Sequence, residues 1–198
     1  MQPPLCETDR GGTRPCATAG EAGDLAWRPL LRLAARAMPL DLLPAFPVPV
    51  ATLIATAPPP REGEPYGRRA LFRDGGAEVL LVRWREDAFS APHDHGEASG
   101  FVYLLRGAFV ERTWEFHRGR LVVTGWRRTQ APGILRVGAG AIHDVKATGG
   151  GVSLHVYVPA ISHMRVFDRA RRETLSVSDA CGAWIPHDPA LITGRVSW

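Results

Sequence analysis

Cysteine is scarce in this 198-residue chain, with only Cys6, Cys16 and Cys181. The count is odd and no C-x-x-C pair occurs, which excludes a disulfide framework and a cysteine-ligated zinc site. Long apolar runs are missing too. The longest, Phe46 to Ala57, is broken by Pro47 and Pro49 and is too short to span a bilayer. The first residues carry Glu7, Asp9, Arg10 and Arg14 and lack the apolar stretch of a secretory signal. A reducing cytoplasm and no membrane partner are therefore expected. Nor is there a strong charge of one sign. The net charge is +4, and the arginines fall in ones and twos, as at Arg68-Arg69, Arg127-Arg128 and Arg171-Arg172. A nucleic-acid surface needs its positive excess gathered on one face, so no nucleic-acid partner is expected. Internal repeats, βαβ alternation and a Gly-rich phosphate loop are also lacking, which leaves nucleotide binding without support.

What is present divides into three parts. Residues 1–23 are rich in Gly, Thr and Ala without periodicity and are expected to be disordered. Residues 24–65 form a helical extension and a proline-rich segment. Leu30, Leu31, Ala34, Ala37 and Met38 recur at helical spacing after Asp24, a fitting N-cap, and predict a helix to about Leu43. The prolines from Pro44 to Pro65 mark a linker or a segment wrapped around the core. Residues 66–198 are the main domain. Short β-prone runs follow one another there, at Glu78–Arg85, Phe101–Leu105, Ala108–Phe116, Arg120–Arg127, Gly133–Val137, Ile142–Ala147 and Val152–Val158. Gly- and Pro-bearing breaks separate them. Many short strands at close spacing mean an all-β sandwich or barrel.

Two constellations carry chemistry. In Pro92-His93-Asp94-His95-Gly96, residues two apart on a strand share a side, so His93 and His95 offer two imidazoles to one ion. His143 follows 48 residues after His95 and is a candidate third ligand. Asp94 should point the other way as a structural carboxylate, and Glu97 reads as surface. In Gly151 to Pro159, Ser153, His155 and Tyr157 alternate with Val152, Leu154, Val156 and Val158. The three polar groups share one face of a strand. That row is either a solvent-facing stripe or, beside a metal site, a hydrogen-bond relay.

The His93/His95 pair with Gly107, and Gly138-Ala139-Gly140 ahead of His143, resemble the two motifs of the cupin superfamily. The resemblance implies an all-β cupin barrel, a double-stranded β-helix or jelly roll, here with a short N-terminal helical extension. The Glu of the first cupin motif is absent, with Ser99 or Gly100 in its place. The site becomes one of three histidines with open positions, as in non-heme iron enzymes.

The wider set is similar to the cysteine dioxygenase family of thiol dioxygenases over about residues 66–170. It comprises Tyr66-Gly67-Arg68-Arg69, His93-Asp94-His95, Leu105-Arg106-Gly107, Ile142-His143, Ser153-Leu154-His155-Val156-Tyr157 and Phe167-Asp168. The resemblance implies Fe(II) on His93, His95 and His143, where a thiol, its amine and O₂ meet. It implies that Arg68, or its neighbour Arg69, pairs with the substrate carboxylate. Tyr157 would place its hydroxyl at the reacting centre, with His155 and Ser153 behind it. The product would be a sulfinic acid. Cysteine is the favoured substrate, because relatives that oxidise 3-mercaptopropionate generally have a Gln at the Arg68 position. Dioxygenation of 3-mercaptopropionate or mercaptosuccinate is an alternative. So are a non-catalytic metal- or ligand-binding cupin and a cupin isomerase using Zn²⁺ or Mn²⁺. Animal members carry a Cys five residues after the second ligand, crosslinked to the tyrosine. Gly100 stands there in this chain, as in the bacterial pattern. A monomer or weak homo-oligomer is expected. Trp84 and Met164 are candidates for the pocket wall. The other tryptophans read as packing residues, and His117, His163 and His187 as surface residues.

Overall fold

The structure, a computed structural model, describes residues 48–74 and 76–198 and the backbone of two short strands, β1 (Leu5–Glu7) and β2 (Thr13–Pro15). These two pair antiparallel. The rest of the expected disordered start, and the helix expected from Asp24 to about Leu43, lie outside the described residues.

The proline-dense segment holds a helix that its composition does not suggest. α1 (Val50–Thr56) begins directly after Pro49 and ends just before Pro58-Pro59-Pro60. Proline is tolerated at a helix start but cannot continue one, so the two proline groups frame the helix. Leu53 is its buried residue, and burying a leucine contributes roughly 2 kcal/mol. The following prolines run against the barrel. A Cβ at Gly67 would lie 2.3 Å from the Pro59 carbonyl oxygen, so only glycine permits this approach. From residue 48 on, the segment packs against the barrel and is not a free linker.

The remaining strands are β3 (Tyr66–Asp74), β4 (Ala77–Trp84), β5 (His93–Asp94), β6 (Ser99–His117), β7 (Arg120–Gln130), β8 (Gly133–Val137), β9 (Ile142–Val158), β10 (Arg165–Asp168), β11 (Glu173–Val177) and β12 (Ile192–Ser197). They form one curled sheet with the order β12-β11-β10-β5-β9-β4-β3, and β6 pairs with β7, β8 and β9. This is the expected all-β cupin barrel.

The sequence pattern predicts two strands where the structure has one long bent strand, and it does so twice. Phe101–Leu105 and Ala108–Phe116 are both parts of β6, and Ile142–Ala147 and Val152–Val158 are both parts of β9. The glycines between them act as bulges instead of turns. Register shifts fall at Leu104/Arg106 and Gly107/Ala108. Gly107 has φ 101°, and Gly149 and Gly150 have φ 69° and 76°, a region open to glycine at little cost. The bent pair turns a corner of the barrel. The first half of β9 lies beside β5 and its second half beside β4, while β6 follows both.

This corner sets the two faces of the site strands. Leu80, Val82, Trp84 and Tyr157 face the interior cluster. Val79, Leu81, Val152, Leu154 and Val156 face outward yet are buried, because Leu53 and Phe72 cover them. The polar row Ser153-His155-Tyr157 therefore points inside, not at solvent.

Candidate active site

His93 and His143 are register partners across β5 and β9. His95 lies just past the end of β5 and its ring joins theirs. Ring centroids are 4.8 Å apart for His93–His95, 4.6 Å for His93–His143 and 5.3 Å for His95–His143. All three residues are buried, and one ligand atom from each lies within 4.8 Å of the others. Among the described residues, no carboxylate or thiol joins this group. The site is one of three histidines, as the missing cupin Glu predicts.

The chemistry of the rings fits a cation. His93 Nδ1 donates to the Ala91 carbonyl at 2.8 Å, and His143 Nδ1 donates to Glu111 Oε1 at 2.8 Å. A carbonyl and a carboxylate only accept, so each of these rings keeps its proton on Nδ1 and presents a bare Nε2. Burial, then the neighbouring histidines, hold His93 and His95 well below the usual histidine range. They are neutral, the form a metal requires. His143 Nε2, the bare nitrogen of its ring, is buried without a protein partner. A buried nitrogen lone pair without a partner is costly, and a metal ion supplies one.

Strand β9 carries the relay. Trp84 Nε1 donates to Ser153 Oγ at 2.9 Å, Ser153 Oγ bonds His155 Nε2 at 2.9 Å, and His155 Nδ1 bonds the Tyr157 hydroxyl at 3.1 Å. The Tyr157 oxygen is 3.3 Å from His95 Nε2. Burial, then His143, lowers His155 to about 3. Burial, then Tyr66, Glu78 and Glu111, raises Tyr157 well above 10. At neutral pH the row is an uncharged imidazole against an intact phenol.

One pocket is lined by the three histidines, the relay and Arg68. Arg68 Nη2 donates to the Cys181 carbonyl at 2.7 Å and to the Asp179 carbonyl, which pins the guanidinium at the wall. Arg69 is exposed and directed at Thr56 Oγ1. The strand period turns the two arginines to opposite faces, and only Arg68 reaches the pocket. Trp84 and Met164 line it as well. Glu97, His117, His163 and His187 are exposed.

Carboxylates behind the ligands hold them in place. Asp94 is fully buried and points away from the site, accepting from Arg165 Nε at 2.9 Å. Asp144 follows His143 and accepts from Arg112 Nε at 2.8 Å and Trp114 Nε1 at 3.0 Å. Sequence reading singled out Asp94 but not Asp144 or Glu111. The signal for Glu111 was available. Strand alternation places it on the same face as Phe109, so it is a charge on an inward apolar face.

The family resemblance makes Gly100 the counterpart of the crosslinking Cys. A Cβ there would lie 1.9 Å from the Val156 carbonyl oxygen and 3.0 Å from the Tyr157 Cα. Strands β6 and β9 approach too closely for a side chain. Gly100→Cys should therefore lower stability by roughly 1–3 kcal/mol, the cost of overpacking. It should also form no thioether to Tyr157. Thermal melts and intact mass test both; an unchanged Tm with the crosslinked mass would contradict this geometry.

The buried imidazoles also set a pH dependence. His93, His95 and His155 have folded values below the unfolded 6.5. Their contribution is complete above that value and is lost as pH falls toward the folded values, because the unfolded chain takes up the protons. Glu78, raised by burial, acts in the opposite sense, but it is one group against three. The Tm of metal-free protein should drop between about pH 7 and pH 5. A flat Tm across that range would mean the rings can be protonated in place.

Comparison with known proteins supplies a family. The model of the family described as cysteine dioxygenase type I matches residues 62–170, more than half of the chain. Solved structures give distant likenesses. One is an uncharacterised protein with a double-stranded β-helix domain from Klebsiella pneumoniae, at 15% identity and TM-score 0.46, covering 67% of this chain and 91% of that one. Another is the Cnp3 cupin domain of Schizosaccharomyces pombe, at 11% identity and TM-score 0.45, covering 54% and 71%. A third is KdgF from a Halomonas species, at 16% identity and TM-score 0.42, covering 50% and 84%. The assignment rests on the family match: the chain belongs to the cysteine dioxygenase type I family.

Proposed function

We propose that the protein is an iron-dependent thiol dioxygenase that converts L-cysteine to cysteine sulfinic acid. The observation that carries this reading is the hydrogen-bonded row from Trp84 through Ser153 and His155 to Tyr157, whose hydroxyl oxygen lies beside His95. A module that only binds a metal has no use for a row of buried polar groups aimed at its ligands. Fe(II) on His93, His95 and His143 supplies the redox chemistry that joins a thiol to O₂. The balance needs no co-reductant, because both oxygen atoms end on sulfur and the sulfur gives up the electrons that O₂ takes.

The chain's own residues do the rest. Arg68, held by the Asp179 and Cys181 carbonyls, offers its remaining N–H groups to the substrate carboxylate. Leu104, Phe109 and Val145 exclude water around the reacting sulfur. Tyr157 holds a hydroxyl proton at the site. Ferrous iron, a small carboxylated thiol and O₂ are thus the cofactor and partners. The setting is read as cytoplasmic from the cysteine pattern. Among the described residues, no helix is long and apolar enough to cross a membrane.

The test is anaerobic reconstitution with Fe(II), followed by O₂ uptake and product analysis. Cysteine, 3-mercaptopropionate and mercaptosuccinate are compared. Cysteine should give sulfinate fastest. Sulfinate from another thiol with none from cysteine would overturn the specificity. No uptake with any thiol, with stoichiometric zinc in the purified protein, would overturn the dioxygenase reading.

A further inference from the structure

The three ligand rings differ in what stands behind them. His93 Nδ1 meets a neutral backbone carbonyl. His95 Nδ1 is buried without a partner. Only His143 meets a carboxylate, Glu111 Oε1 at 2.8 Å. Glu111 is itself buried and is gripped on its other oxygen by Arg127 Nε at 2.6 Å. Placement in the sheet accounts for the trio. On β6, Glu111 is the register partner of Arg127 on β7 and of Val145 on β9, two residues after His143. Arg127 reaches solvent beside a second pocket, lined by Glu111, Trp126, Arg136 and His143 and distinct from the thiol pocket.

We propose that Glu111, held by Arg127, is a positioning residue that sets the donor strength and tautomer of His143. This rests on the metal-site reading above but not on which substrate is oxidised. A carboxylate accepting from Nδ1–H fixes the ring orientation, keeps Nε2 unprotonated and pushes electron density toward it. One of the three ligands is thereby a stronger donor than the other two. Arg127 keeps the carboxylate turned toward the ring and balances its buried charge. The site is asymmetric by construction, and its charged support comes from neighbouring strands β6 and β7, on the same face of the sheet as His143.

The test uses full-length protein and Fe(II) alone, titrated anaerobically against a competing chelator. Co(II) absorption spectra are recorded in parallel. Glu111→Gln keeps an acceptor of the same shape and removes the charge. Glu111→Ala removes both. Outer-shell losses typically weaken binding about 10–100-fold, so Gln should fall near the lower figure and Ala near the upper. The Co(II) bands of Glu111→Gln should shift, a signature that a purely structural role would not produce. Folded Glu111→Gln that binds Fe(II) like the wild type, with a superimposable Co(II) spectrum, would overturn the proposal. If Glu111→Ala fails to fold, the near-isosteric Gln variant still decides. A wild type that binds no Fe(II) would instead overturn the metal-site reading, and this proposal with it.

Discussion

His93→Ala should leave a folded protein that keeps no iron after desalting and oxidises no thiol above background. The expectation follows from the number of ligands. Among the described residues only three side chains converge, and none stands in reserve. Two imidazoles without a third have neither the coordination nor the geometry to hold Fe(II) in an open site. His93 is also the cleanest of the three to remove. Its Nδ1 partner is the Ala91 carbonyl, a neutral group that water can satisfy. Removing His143 would strand the Glu111 carboxylate in the interior, and removing His95 would strip a neighbour from Tyr157. The backbone of β5 pairs with β9 and β10 whatever side chain it carries. Iron per chain, turnover and a thermal melt are the readouts. A folded His93→Ala that retains stoichiometric iron and activity would place the metal elsewhere.

The three-histidine cluster was legible in the sequence because it obeys a local rule. Two histidines at strand spacing share a side, and a third after a Gly-rich turn lands opposite them once the sheet closes. The relay was legible for the same reason, since Ser153, His155 and Tyr157 alternate along one strand. The inward direction of that row could be inferred from the neighbouring histidines but not from the alternation alone. It depends on α1 and Phe72 covering the opposite face, and α1 hides between prolines in a stretch of only seven residues. The long strands were misdivided because glycine signals a turn in sequence but makes a bulge when the ladder continues through it. The roles of Glu111 and Asp144 needed pairings 32 residues apart along the chain. Local pattern carries no information about such contacts.

Tyr157→Phe should leave iron bound and slow thiol oxidation by about 10²-fold or more, the usual weight of a positioned proton donor. The direction of the hydrogen bonds gives the reason. The Trp84 indole can only donate, so Ser153 Oγ accepts from it and is free to donate to His155 Nε2. A neutral His155 that accepts at Nε2 carries its proton on Nδ1, which donates to the Tyr157 oxygen. The phenol has then received its bond from behind, and its own proton is left to point into the substrate pocket beside the metal ligands. The phenol stays protonated because burial raises it well above 10. The row thus ensures that a proton, and not a phenolate charge, faces the reacting sulfur and O₂. Phenylalanine fills the same volume and deletes only that O–H. His93 and His143 keep their supports at Nδ1, so iron content should match the wild type. The deciding measurement is the ratio of O₂ consumed to sulfinate formed, beside the rate itself. If O₂ consumption exceeds sulfinate formation in the variant, the proton is needed to keep both oxygen atoms on one sulfur. Wild-type rate with one O₂ per sulfinate would leave the relay a packing device and remove it from the chemistry.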